Sequence, residues 1–147
     1  MWASGSVTGL CYATGFADIA EWVRVTEPVQ PGDVLELDPS QPGSYRKARG
    51  APSTLVAGVV STQPGIALGT STIGPQQALL ALSGIVPVKV TNEGGPILPG
   101  DLLVSSSSPG CAMRWDDAQS PSCSFIGKAL GGFDGEYGTV LILLMSP

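Results

Sequence analysis

Apolar residues along this chain come in short, strand-length runs, without the three- and four-residue recurrence of a helix face. Val34-Leu35-Glu36-Leu37, Leu55-Val56-Ala57-Gly58-Val59-Val60 and Leu102-Leu103-Val104-Ser105 are each bounded by Gly, Pro, Ser or Asp, and a further run covers residues 139–145. Runs of this length with such punctuation predict an all-β barrel or sandwich of short strands. Further strands are expected over residues 6–12, 19–25, 45–47, 85–90, 112–114 and 125–130, with residues 1–15 forming an N-terminal strand or arm. Pro87 inside a strand argues for an edge or a bulge. Gln76-Gln77-Ala78-Leu79-Leu80-Ala81-Leu82 is made of good helix formers and follows Gly74-Pro75. It runs into 85–90 with only Ser83-Gly84 between, so a strand is expected there too. Gly65-Ile66-Ala67-Leu68-Gly69 reads as a loop.

Comparing the chain with itself reveals an internal repeat. Val23-Arg24-Val25-Thr26 returns as Val88-Lys89-Val90-Thr91, and Pro31-Gly32-Asp33-Val34-Leu35 returns as Pro99-Gly100-Asp101-Leu102-Leu103. Ser40-Gln41-Pro42-Gly43 is echoed by Ser107-Ser108-Pro109-Gly110, Arg46 by Arg114, and Val56-Ala57-Gly58-Val59 by Phe125-Ile126-Gly127-Lys128. The order is kept and the spacing stays nearly constant, which predicts two tandem copies of one β-unit, about 23–60 and 88–130, inside a single domain spanning 1–147. Pro-Gly-Asp is a tight turn: Pro fixes the first corner, Gly supplies the positive φ that follows, and Asp bonds the backbone before the next strand. This reading makes Pro31, Gly32, Asp33, Pro99, Gly100 and Asp101 structural.

Composition narrows the function. Gly contributes 20 and Pro 13 of 147 residues, charged residues only 13%, and apolar residues 43%. A chain of this size buries enough surface to fold without staples. With so few charges, some apolar surface is expected to be covered by another copy. The net charge of −5 argues against a nucleic-acid partner. No apolar run is long enough for a membrane helix. Met1-Trp2-Ala3-Ser4-Gly5 has no signal-peptide pattern, so the chain is expected in the cytoplasm unless it belongs to a virion or a surface assembly.

Histidine is absent, which removes His-based triads, the commonest general base and most zinc sites. Cys11, Cys111 and Cys123 have no metal-ligand spacing; Cys111 and Cys123 can face each other across a hairpin, or all three stay free. Asp116, Asp117, Asp134 and Glu136 lack the order of a calcium loop. No cofactor and no metal are expected. Asp18 and Glu21 in Ala17-Asp18-Ile19-Ala20-Glu21-Trp22 are either a buried polar anchor, contacts at a symmetry axis, or ordinary strand-face charges. Ser105-Ser106-Ser107-Ser108 with Lys89 or Lys128 has the residue types of a Ser–Lys nucleophile, but it also has ordinary turn composition. Trp22, Trp115 and Tyr137 are candidate stacking surfaces for a glycan or other small ligand, Trp115 foremost.

The string from Ala17-Asp18-Ile19-Ala20-Glu21-Trp22 through Val56–Gly65, Gly84–Val90, Ile97–Ser106 and Pro109–Arg114 to Ile126–Leu130 resembles the C-terminal β-rich modules of phage tail fibres, neck appendages and bacterial surface proteins. That resemblance covers roughly residues 15–145. It implies a trimerising module at the end of a fibrous protein, related to intramolecular-chaperone domains that cleave themselves from the fibre. The Ser-Asp and Arg-Leu-Lys pattern of tail-spike endosialidase chaperones is missing. The expectation is a non-enzymatic structural or interaction module, a homotrimer that also contacts other virion or surface proteins. It would be a mobile-cassette product or a capsid or tail decoration protein. The alternatives are a self-cleaving chaperone domain and a glycan- or ligand-binding barrel.

Overall fold

The strand-length runs form strands, and no described residue is helical. The computed structural model describes residues 18–71, 76–116 and 124–145. In chain order the strands are β1 (Asp18–Arg24), β2 (Val34–Leu37), β3 (Tyr45–Lys47), β4 (Val56–Val60), β5 (Ile66–Leu68), β6 (Gln77–Thr91), β7 (Leu102–Ser105), β8 (Ala112–Arg114), β9 (Gly127–Ala129) and β10 (Tyr137–Leu144). The strand expected over residues 6–12 and the arm over 1–15 lie outside the described residues.

The helix formers of 76–82 continue into 85–90 as one strand, β6, of 15 residues. Tertiary pairing overrides their propensity, because β1 and β4 pair with the N-terminal half of β6 and β10 with the C-terminal half. At the middle, Leu82 has no partner on β1 and Gly84 takes φ +116°, so β6 bends as it passes from one half of the molecule to the other. Pro87 pairs with Leu141 across from β10. Lys89, two residues on, turns its N–H away from β10 to Gly32 O. The missing N–H of Pro87 falls on that same side and removes no bond from the β10 ladder.

The two halves use one pairing order. In the first, β1 pairs with β6, β6 with β4, β4 with β2 and β2 with β3, all antiparallel, and a parallel bridge from Val25 to Tyr45 closes the ring. In the second, β6 pairs with β10, β10 with β9, β9 with β7 and β7 with β8, again antiparallel, and a parallel pair between Val90 and Ala112 closes it. Each half is a small barrel, and β6 serves both. The ladders also correct one sequence match. Leu35 faces Lys47 and Leu103 faces Arg114, so Arg114 stands where Lys47 does and Arg46 corresponds to Met113. A one-residue slip moves a side chain to the opposite face of a strand, so the two arginines do different work. Residues 65–69 are also more than a loop: Ile66–Leu68 form β5, an edge strand parallel to β1.

The wall between the barrels has two buried faces. Val34 and Leu35 are adjacent and both fully buried. Leu35 packs with Val25, Val60, Ala78 and Leu80 inside the first barrel. Val34 joins Ala48, Val56 and Val59 in the core that contains Val86, Val88, Leu103, Ile126 and Ile142 of the second. Burying a side chain of this kind is worth about 1.5–3 kcal/mol, so the uninterrupted apolar pairs of β2 and β4 hold the barrels together as well as filling one of them.

Matched glycines permit the closest strand approaches. A Cβ on Gly58 would lie 2.9 Å from Ala81 O, and one on Gly127 would overlap Leu143 O. Gly127→Ala should therefore cost about 1–3 kcal/mol in denaturant unfolding through overpacking. Gly131→Ala, where a Cβ meets nothing within 4 Å, should change stability by less than about 0.5 kcal/mol. Equal effects at the two positions would refute the close-approach account.

Candidate functional site

The Pro-Gly-Asp turns are built alike. Asp33 N–H donates to Gln30 O and Asp101 N–H to Leu98 O, each at 3.0 Å, with Gly32 at φ +89° and Gly100 at φ +95°. The carboxylates answer in kind: Gln30 N–H donates to Asp33 Oδ2 at 2.7 Å and Leu98 N–H to Asp101 Oδ2 at 2.8 Å. Pro42-Gly43 and Pro109-Gly110 form a second matched pair of turns, with Ser44 N–H to Gln41 O and Cys111 N–H to Ser108 O.

The surroundings of the two acids differ sharply. Asp33 is 3% exposed and its Oδ1 lies 2.8 Å from Lys89 Nζ, which also donates to Gln30 Oε1 at 3.2 Å. Lys89 N–H donates to Gly32 O, Val34 N–H to Gly110 O and Gly110 N–H to Ala48 O. A strand and a turn of the second barrel thus seat on the turn end of the first. Ser105 completes the seam, its hydroxyl accepting from Ser53 N–H at 2.7 Å and donating to Gly50 O at 2.6 Å. Asp101 is 25% exposed, and its ion-pair contact among the described residues is the longer one of 3.4 Å to Arg114 Nε. Around it opens a shallow recess of about 290 Å³ lined by Gly100, Asp101, Leu102, Arg114, Trp115 and Asp116.

Of the aromatic candidates, only Trp115 lines this recess; its ring meets Phe125 edge-on with centroids 5.0 Å apart. Trp22 lies on β1 opposite Leu79. Tyr137 starts β10, 63% exposed, with its hydroxyl 3.2 Å from Ser108 Oγ. The structure therefore does not gather the three into one surface. Nor does it assemble the Ser–Lys arrangement: Lys89 is held by Asp33, Lys128 is exposed on β9, and the hydroxyls of Ser105 and Ser106 donate to backbone carbonyls. Cys111 is a free, half-buried thiol whose pKa burial pushes up, while Cys11 and Cys123 lie outside the described residues. Among the described residues no group of acids and cysteines is arranged to hold a metal ion. Among the described residues no helix is long and apolar enough to cross a membrane.

Solved structures share this fold, among them two of one phage protein. One is the pre-mature form of bacteriophage phi29 gene product 12, at 13% identity and a TM-score of 0.65 over 88% of this chain. The chain spans 22% of the length of that protein. The other is the C-terminal fragment of the same gene product, at 14% identity and a TM-score of 0.62, where 87% of this chain covers 100% of the fragment. No family model and no curated protein matches the sequence. At these identities the likeness establishes an all-β architecture shared with a phage protein's C-terminal fragment.

Of the two acids near the start of the described chain, Glu21 is exposed and Asp18 is buried. Burial pushes the Asp18 carboxyl above its usual range; Ser61 is near enough to oppose the shift but not placed to hydrogen-bond it. A polar cluster that sequence reasoning missed lies on β2 and β3. Glu36, buried, takes Arg46 Nη2 at 2.9 Å and Arg46 Nε at 3.0 Å, a cross-strand pair that the Pro42-Gly43 turn register could have revealed. Asp38 accepts the hydroxyls of Ser40 at 2.6 Å and Thr26 at 2.8 Å. These bonds, with a smaller push from Arg46, lower its pKa from 3.8 to about 2. An acid depressed in this way contributes stability that is complete above its unfolded value and lost as pH falls through the folded one. Wild type should therefore exceed Asp38→Asn in stability at pH 6, with the gap closing between roughly pH 4 and pH 2. A gap independent of pH, measured by urea unfolding across that range, would contradict the assignment.

Proposed function

We propose that the chain is a non-enzymatic, self-associating β-module of a phage-like or cell-surface assembly, one domain made by internal duplication and active as a homotrimer. The observation that carries this reading is the fold shared over the whole of a phage protein's C-terminal fragment. The repeated pairing order supports duplication, because two barrels with the same five connections and the same turn chemistry follow economically from one ancestral unit.

Surface chemistry supports self-association. On β10, Val140 and Ile142 point into the core while Leu141 and Leu143 stand 40% and 45% exposed. Their ladder neighbours Pro87 and Ile85 are half-buried, and Leu130, which donates its N–H to Leu141 O, is exposed as well. A continuous apolar sheet face of this kind is covered in most soluble proteins. Copies of the same chain are the simplest cover, and contacts with other virion or surface proteins would use what the trimer leaves open. Multi-angle light scattering at micromolar concentration should give three times the 15.0 kDa chain mass. Leu141→Glu combined with Leu143→Glu should shift the population to single chains while the fold persists by circular dichroism. A single-chain mass for wild type would reject the reading.

A further inference from the structure

The end of the first barrel is covered by the second, whereas at the matching end of the second barrel none of the described residues covers Gly100 and Asp101. Val34, Ala48 and Asp33 are all buried at the junction. By strand register their counterparts are Leu102, Trp115 and Asp101, and all three are only half-buried around the open recess. Trp115 N–H donates to Leu102 O at 2.8 Å, as Ala48 N–H does to Val34 O at 2.9 Å, so the backbone frame is the same. A Cβ on Gly32 would meet Lys89 Cγ at 3.3 Å; one on Gly100 would meet nothing within 4 Å.

The covering surface also has a bare counterpart. Lys89 and Gly110 do the covering, and the residues matching them in the first barrel are Arg24 and Gly43. A Cβ on Gly110 would lie 2.8 Å from Asp33 Oδ1, whereas one on Gly43 has open space around it. Arg24 is exposed at the end of β1, beyond Ile19–Glu21 where β5 pairs. It forms no ion pair with a described residue, though its counterpart Lys89 has the buried Asp33. Among the described residues, one molecule thus offers an uncovered cationic strand end with a Pro-Gly turn, and an uncovered acidic turn end. Within the chain, surfaces of those two types mate.

We propose that copies of this chain associate head to tail by repeating between molecules the turn contact that joins the two barrels within one. Arg24 of one copy takes the place of Lys89 against Asp101 of the next, and the Pro42-Gly43 turn takes the place of Pro109-Gly110 beside Leu102 and Trp115. The match is confined to the turn end, since Lys128 is exposed where its counterpart Val59 is buried. Such an interface joins two different surfaces, so it closes a ring, as in a trimer, or propagates a fibre. The inference rests on the reading of the chain as self-associating and adds which surfaces meet.

Leu98 supplies the cleanest probe. It is 64% exposed and matches Gln30, whose side chain receives the Lys89 ammonium. Leu98→Lys places a like charge before the incoming Arg24, and Arg24→Glu reverses the other partner; both positions are exposed, so the fold should survive. Each variant alone should weaken association about tenfold or more by sedimentation velocity. Combining both substitutions in one chain should restore assembly, because every contact of the ring or fibre then pairs opposite charges. If wild type forms trimers that neither variant weakens, the head-to-tail contact is wrong while the trimer reading stands. If wild type remains a single chain, both fail.

Discussion

The Asp33 carboxylate is the point at which the two halves of this molecule come to depend on each other. One oxygen closes its own Pro-Gly-Asp turn through Gln30 N–H, and the other holds the ammonium of Lys89 from the second barrel. A carboxylate that is 3% exposed needs such partners, because an unpaired buried charge is costly. The pair in turn fixes where the second barrel sits. Lys89 N–H reaches Gly32 O, and Gly110 bridges the Val34 N–H and the Ala48 carbonyl. With that seam set, Val34, Val56 and Val59 are delivered into the neighbouring core and β2 and β4 become a wall buried on both faces.

The same sequence element does two jobs because its surroundings differ. Both Asp residues cap a turn with the same bond to the residue three before. Only the first is also an interface residue. The second faces a recess edged by an indole and a guanidinium, and its open state is what a copy-to-copy contact would use. Two halves built on one pairing order leave one covered and one uncovered version of the turn end, and uncovered surfaces of known complementarity are a route to assembly.

Much of this was legible in the chain. β2, β3, β7 and β8 lie where the runs of apolar residues end on Pro-Gly turns, since turn chemistry is local and its residues are few. The repeat is visible because Pro, Gly and Asp each have a distinct job in the turn and stand in the same order in both halves. Other features were set at long range. β5 was read as a loop because three residues carry no period, and only its pairing with β1 makes them a strand. The single strand through Gly84 depends on partners from both barrels. Arg114 pairs with Arg46 by residue identity but with Lys47 by register, because only the ladder shows which face a side chain occupies. The role of Lys89 could not be read locally at all, as its partner lies 56 positions earlier in the chain, although the Val-Arg-Val and Val-Lys-Val strings do place a cation at the same position in both.

The central claim is that the Asp33–Lys89 contact couples the barrels. A double-mutant cycle using Asp33→Asn and Lys89→Gln, read by urea unfolding at neutral pH, tests it most directly. The account predicts a coupling free energy of about 1–3 kcal/mol. The same cycle on the longer, half-buried Asp101–Arg114 pair should give under about 0.5 kcal/mol. Coupling at Asp33–Lys89 no larger than at Asp101–Arg114 would contradict it.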